Sequence, residues 1–153
     1  MTTRGIYVLR DEAVEHDVLV YRYRKMGARI AAEAVDQPAE IVLKSLVFQA
    51  DDGSFLFALI GGDSNVSTRK LGRATGHRQV AAAAPRDAER VTGYQVGGIS
   101  PLGARTTLPV VLDKAAAAHS QLILNAGARG TLVRVATCNI VRLLDARIDD
   151  IRA

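Results

Sequence analysis

Residues 41–61 constrain the fold more than any other stretch. IVLKSLVFQ, Ile41 to Gln49, is a dense run of β-branched and apolar residues, and SFLFALIGG returns from Ser54 with the same character. DDG at Asp51 to Gly53 joins them as a hairpin turn. Apolar at almost every position rather than at alternate ones, the first run reads as a buried strand. One polar group interrupts it: Lys44.

The flanking segments supply both element types. Gly5 to Val14 reads as a first helix. DVLVYRYR, Asp17 to Arg24, alternates around two tyrosines and reads as a strand. Gly27 to Val35 is a short Ala-rich helix, and Pro38 opens a further turn at its first helical position. Ser67 is a cap for a helix over Thr68 to Ala74 that stops at Gly76. PRDAERV is another short helix, and AAAA at Ala81 to Ala84 is filler. TLPVVLD, SQLILNAG and GTLVRVA read as strands, and CNIVRLLDARIDDI as a C-terminal helix. Neither class segregates along the chain, which predicts an α+β fold: a mixed, curved sheet wrapped by helices.

The 153 residues predict one domain over 1–153. No apolar run approaches the roughly 18 residues of a membrane span. The charged opening MTTRGIYVLRDEAVEHD lacks a signal peptide's apolar core, and the single cysteine, Cys138, excludes an internal disulfide framework. These features point to the cytoplasm. A net charge of +4, with most basic residues Arg, tilts the chain toward a polyanionic partner. With no Trp and 5% aromatics, it has no platform for stacking several bases.

The chemistry-bearing positions are few. Lys44 either snorkels from a strand end or faces a cleft, where a positive charge in low dielectric would hold a phosphate or polarise a carbonyl. GYQVGGISPLG, Gly93 to Gly103, holds four glycines and no ionisable side chain except that of Tyr94. It fits neither a P-loop nor a Rossmann turn. It is either a long surface turn or a loop whose N–H groups bind an anion or a developing oxyanion. NAGARG, Asn125 to Gly130, reads first as a hairpin bend. His16, His77 and His119 lack the spacing of a zinc site. Cys138 is expected to be buried packing rather than a nucleophile. Ser100 has no partners for a triad. Arg69, Lys70, Arg73, His77 and Arg78 form a basic helix face, solvated or in contact with a phosphate backbone.

Taken together, IVLKSLVF, the hairpin to GGD, RKLGRATG, ERVTGYQVGGISPLG, LPVVLD and NAGARG resemble the YbaK/EbsC-type aminoacyl-tRNA deacylases, free-standing relatives of the editing domain of bacterial prolyl-tRNA synthetase. The resemblance runs from about Val18 to the end and is nearest to the Cys-tRNA(Pro) deacylases. It implies hydrolytic removal of a wrong amino acid from tRNA, chiefly tRNA(Pro). The substrate's own cysteine thiol or ribose hydroxyl would assist, without cofactor or metal. It implies Lys44 as the catalytic residue and Tyr23, Tyr94, Gly97, Gly98, Ile99, Ser100, Pro101, Asn125 and Gly127 as substrate-binding. An aminoacyl ester is already activated, so backbone donors at Gly97 to Ile99 would suffice for the carbonyl.

The chain departs from that pattern in places. RKMGAR after Tyr23 is shorter than in the Cys-specific enzymes, Asn125 stands where they carry Ser, and Leu132 where they carry Asp. The amino acid removed is therefore cysteine first, and alanine or another small residue second. Other readings are a non-catalytic tRNA- or synthetase-binding module and a small-molecule binder using the same loop. Aminoacyl-tRNA is the expected partner, with docking on prolyl-tRNA synthetase as a further one, and no membrane.

Overall fold

The computed structural model describes residues 2–153. The two apolar runs form β2 (Leu43–Ala50) and β3 (Phe55–Gly61), an antiparallel pair closed by the 51–53 turn. As their composition requires, both faces of β2 are covered. Leu43 and Val47 enter the largest apolar cluster, with Phe57 and Leu59. Phe48 and Ala50 enter a second, with Leu56 and Ile60. Each fully buried Leu or Phe here contributes roughly 1.5–3 kcal/mol.

Three more strands extend this pair: β4 (Val80–Ala82), β5 (Val110–Asp113) and β8 (Arg147–Asp149). The order is β4-β2-β3-β5-β8, antiparallel across β4, β2 and β3 and parallel across β3, β5 and β8. This is the mixed sheet of the α+β reading. A separate antiparallel sheet is built from β1 (His16–Val20), β7 (Thr131–Ala136) and β6 (Gln121–Ala128), in that order. An isolated bridge between Val42 and Ile123 connects the two.

Among the described residues six α-helices surround the sheets: α1 (Arg4–Asp11), α2 (Ala28–Ala34), α3 (Thr68–Thr75), α4 (Pro85–Thr92), α5 (Lys114–Ala117) and α6 (Thr137–Leu144). The caps follow local chemistry. Ser67 accepts from the Lys70 N–H, and Gly76 ends α3 at φ +77°. Pro85 starts α4, and Gly93 ends it at φ +78°.

Several expectations need correction. The tyrosine strand stops at Val20: the Tyr21 N–H still bonds the Gly130 carbonyl in register at 3.0 Å, but there the partner strand gives way to a turn with Gly130 at φ +82°, so no ladder continues past it. Pro38 precedes a 3-10 turn, Ala39–Ile41, rather than sitting at its first position. The alanines are not filler: Val80–Ala82 is an edge strand beside β2. The C-terminal segment is not one helix. Asp145 adopts a left-handed conformation, φ +48°, and ends α6; the chain then runs on as β8 beside β5. Asp tolerates that conformation better than most residues, and the free edge of β5 takes up the strand. Cys138 is exposed, because α6 turns Thr137 and Ile140 inward instead.

Candidate functional site

A cavity of about 520 Å³ opens along β2. One wall is Gly27, Ala28 and Ala31 around α2, another is Ala82, Ala83, Pro85 and Ala88 from β4 to α4, and Val96, Gly97 and Ile99 come from the glycine-rich loop. Asn125 and Leu132 close it from the smaller sheet. The lining is mostly apolar with a few polar groups, as ligand sites generally are.

Lys44 is half-buried and lines this cavity; it is the second residue of β2, opposite Ile60 in register. Its ammonium donates to the Ser64 carbonyl at 2.6 Å and to Asn65 Oδ1 at 3.2 Å. Partial burial lowers its pKa from the ordinary 10.5; the nearby Arg29 guanidinium lowers it further, and Asp63 acts the other way. The Ser64–Asn65 turn is tied in turn to the C-terminus, where the Ala153 N–H donates to the Asn65 carbonyl at 2.8 Å.

Across the cavity the glycine-rich loop is held by the hairpin turn between β6 and β7. Asn125 Nδ2 donates to the Gly97 carbonyl at 3.1 Å, while Asn125 Oδ1 accepts from the Gly127 and Ala128 N–H groups at 2.7 and 3.2 Å. Arg129 Nε donates to the Val96 carbonyl at 2.9 Å. Gly97 sits at φ +92°, and a Cβ there would lie 2.5 Å from the Tyr23 hydroxyl, so only glycine fits.

The loop's N–H groups are not equivalent. That of Gly98 is spent on the Gln95 carbonyl at 2.8 Å. Those of Gly97 and Ile99 have no partner among the described residues, and both residues line the cavity. The donor row expected over 97–99 is thus a pair with a gap.

Lys44, Gly97, Ile99 and Asn125 therefore meet at one cavity. Tyr23, Tyr94, Gly98, Ser100, Pro101 and Gly127 are not among its lining residues. Tyr94 is buried and donates to the Leu102 carbonyl at 2.6 Å. Burial pushes its phenol pKa up, opposed by Arg4, whose guanidinium lies 5.5 Å from the ring centre. The ring packs against Gly127, where a Cβ would approach it to 2.6 Å. Ser100 is buried, its Oγ accepting from the Leu102 N–H at 3.1 Å. Tyr23 carries the Arg129 guanidinium 5.3 Å from its ring centre.

Sequence reasoning missed four contributors. Tyr21, not Tyr23, lines the cavity, and burial followed by the neighbouring Tyr23 raises its pKa. Met26 lines the mouth and is exposed. Asn65 carries Lys44, and Ser45 lines the cavity beside it. Only Asn65 had a sequence signal, a polar cluster directly after a buried strand.

Among the described residues no three His, Cys, Asp or Glu side chains gather as a metal site would require, and no helix is long and apolar enough to cross a membrane.

Comparison with known proteins adds the following. The family model described as "Aminoacyl-tRNA editing domain" matches residues 25–143. EbsC of Enterococcus faecalis, provisionally named a Cys-tRNA(Pro)/Cys-tRNA(Cys) deacylase, is 29% identical over 126 residues, 82% of this chain and 77% of that one. The proline–tRNA ligase of Lactobacillus acidophilus is 30% identical over 96 residues, 63% of this chain but 17% of the ligase. A crystal structure provisionally described as a trans-editing enzyme for prolyl-tRNA synthetase superposes with a TM-score of 0.86 at 25% identity, covering 98% of this chain and 95% of that one.

Proposed function

Because the chain belongs to the aminoacyl-tRNA editing domain family, we propose that it is a trans-editing hydrolase that strips a wrongly attached amino acid from tRNA, with Cys-tRNA(Pro) its first substrate. One observation carries the reading. Lys44, Gly97 and Ile99 line the same cavity, and the N–H groups of Gly97 and Ile99 have no partner among the described residues.

In this reading the aminoacylated 3′ end enters the cavity and its ester carbonyl oxygen is taken by Gly97 N–H, Ile99 N–H or both. Water attacks the carbonyl carbon, the ester C–O bond breaks, and the ribose oxygen leaves with a proton. The negative charge that develops on the carbonyl oxygen falls on prepared donors, each worth about a hundredfold or more in such sites. Lys44 holds the terminal phosphate or the same oxygen. The neighbouring ribose hydroxyl, or a cysteine thiolate of the substrate, takes a proton from the attacking water and passes one on to the departing ribose oxygen, so that the free amino acid and the free ribose hydroxyl are formed. Tyr23, Tyr94, Gly98, Ser100, Pro101 and Gly127 act by shaping the loop.

The amino acid removed is set by the cavity wall. Leu132 and the alanines of α2 leave an apolar surface that suits a small side chain, cysteine or alanine. Discrimination by size is limited to about 1–3 kcal/mol per methylene. Binding to prolyl-tRNA synthetase during editing is a further part of the proposal, tested by co-purification of the three components.

The deciding experiment is deacylation of Cys-, Ala- and Pro-charged tRNA(Pro) by the wild type and by Lys44→Ala. We expect loss of Cys or Ala with Pro spared, and a fall of about a hundredfold or more in the variant. Full activity in a folded Lys44→Ala protein would remove Lys44 from the mechanism. Binding of tRNA without turnover of any charged form would favour a non-catalytic module.

A further inference from the structure

The cavity is lined by six consecutive residues of β2, Leu43 to Phe48. Side chains of a strand alternate between its faces, so a cavity on one face would meet only every second residue. This cavity therefore runs along the edge of the strand.

The register shows why that edge is open. β2 pairs with β3 over Leu43–Gln49, but with β4 only over Phe48–Ala50. Toward β6 it makes the single Val42–Ile123 bridge. Between them lies a gap. Extending the Phe48↔Ala82 register would set Pro85 opposite Ser45, but Pro85 has no N–H and begins α4, so the chain turns away.

Backbone groups alternate in direction as side chains do. The Ala50 N–H bonds toward the hairpin partner, to the Ser54 carbonyl, while the Val47 carbonyl accepts from Ala83 on the β4 side. Odd-numbered residues of β2 thus turn their N–H and C=O toward the open edge. Ser45 presents both there, flanked by the Leu43 carbonyl. Ser45 also carries a buried hydroxyl with no partner among the described residues. Polar groups left unpaired in a buried wall are costly and persist where something else completes them.

A carbonyl at one residue and an N–H two residues on, side by side in an apolar slot, match a planar ring edge bearing an amino donor beside an acceptor nitrogen. We propose that this edge reads the terminal adenine of the charged tRNA, its amino group donating to the Leu43 carbonyl and its N1 accepting from the Ser45 N–H. The assignment rests on the editing reading above. An α-ammonium group fits less well, because it offers no acceptor to the Ser45 N–H.

The test uses inosine, whose N1 carries a hydrogen and whose amino group is replaced by a carbonyl, so that donor and acceptor are exchanged at both positions. In 15N-correlated spectra of the full chain, AMP is expected to move the Ser45 amide and IMP at equal concentration to leave it. Charged tRNA ending in inosine is expected to be deacylated about tenfold more slowly than tRNA ending in adenosine. Ser45→Pro deletes the edge N–H without touching the β3 ladder, a position where proline is tolerated, and should bring the adenosine-ended rate down to the inosine-ended one. Equal rates for the two ends in the wild type would overturn the inference while leaving the editing reading intact. If no charged tRNA were hydrolysed, the editing reading would fall, and the AMP titration alone would decide. A Ser45 amide that answers a cysteine or alanine amide but not AMP would also overturn it.

Discussion

Lys44 illustrates how much a single residue depends on its neighbours. In sequence it is an unexplained charge in an apolar strand; in the structure the residue lines a cavity and its ammonium is spent on Ser64 and Asn65. Its lowered pKa, from partial burial first and Arg29 second, has a direct consequence for pH dependence. The ammonium is lost on raising the pH through a value below the ordinary 10.5. If the charge is what acts, the enzyme-dependent rate, after subtraction of spontaneous ester hydrolysis, falls through that same range. Lys44→Arg, charged throughout, should lose the falling limb. A wild-type rate that rises steadily with pH would mean the free amine acts instead. Tyr94 and Ser100 teach the converse. Both resemble functional positions in sequence, yet both spend their hydroxyls inside the loop they belong to.

At the scale of elements, the loop and the hairpin turn form one unit joined by Asn125. Its side chain makes three bonds, one to the loop and two within the bulge at the end of β6. Asn125→Ala leaves the Gly97 carbonyl and the Gly127 and Ala128 N–H groups without that partner, a cost of roughly 1–3 kcal/mol. For a chain of this size that lowers the melting temperature by about 2–4 °C per kcal/mol. If the clasp positions the Gly97 and Ile99 donors, kcat falls as well and the spared-Pro selectivity is kept; unchanged kcat at the lower melting temperature would reduce Asn125 to a structural role. The hairpin bend was legible from its glycines. Its grip on a loop 28 residues earlier was not, because nothing in local sequence states which carbonyl an asparagine will find.

Across the whole molecule the positive charge is not spread evenly. A second cavity, about 540 Å³, is lined by Arg69 and Arg78 next to β4, whose Ala82 also borders the first cavity. Neither arginine has a salt-bridge partner among the described residues, whereas Lys70 on the same helix as Arg69 pairs with Asp150 at 2.9 Å. If the charged 3′ end enters the neighbouring cavity, as the proposed function has it, this face is suited to the phosphates of the tRNA that carries it. Affinity for uncharged tRNA should fall steeply with salt, and Arg69→Gln with Arg78→Gln should reduce the log–log slope by about one for each phosphate no longer neutralised. An unchanged slope would place the phosphate backbone on another face of the molecule.

The elements whose signals are local could be read from the chain before it was folded. The β2–β3 hairpin follows from two uniformly apolar runs and an Asp-Asp-Gly turn, and α3 and α4 follow from Ser67, Gly76, Pro85 and Gly93. Lys44 and the glycine-rich loop also stood out as unusual. Three features emerged only from the packed molecule: that Tyr21 rather than Tyr23 reaches the cavity, that only alternate loop N–H groups stay free, and that the edge of β2 at Ser45 lies open. Each depends on where one element stops relative to another distant in the chain. Strand ends, orphan donors and unpaired edges are properties of pairs of segments, and no single segment encodes them.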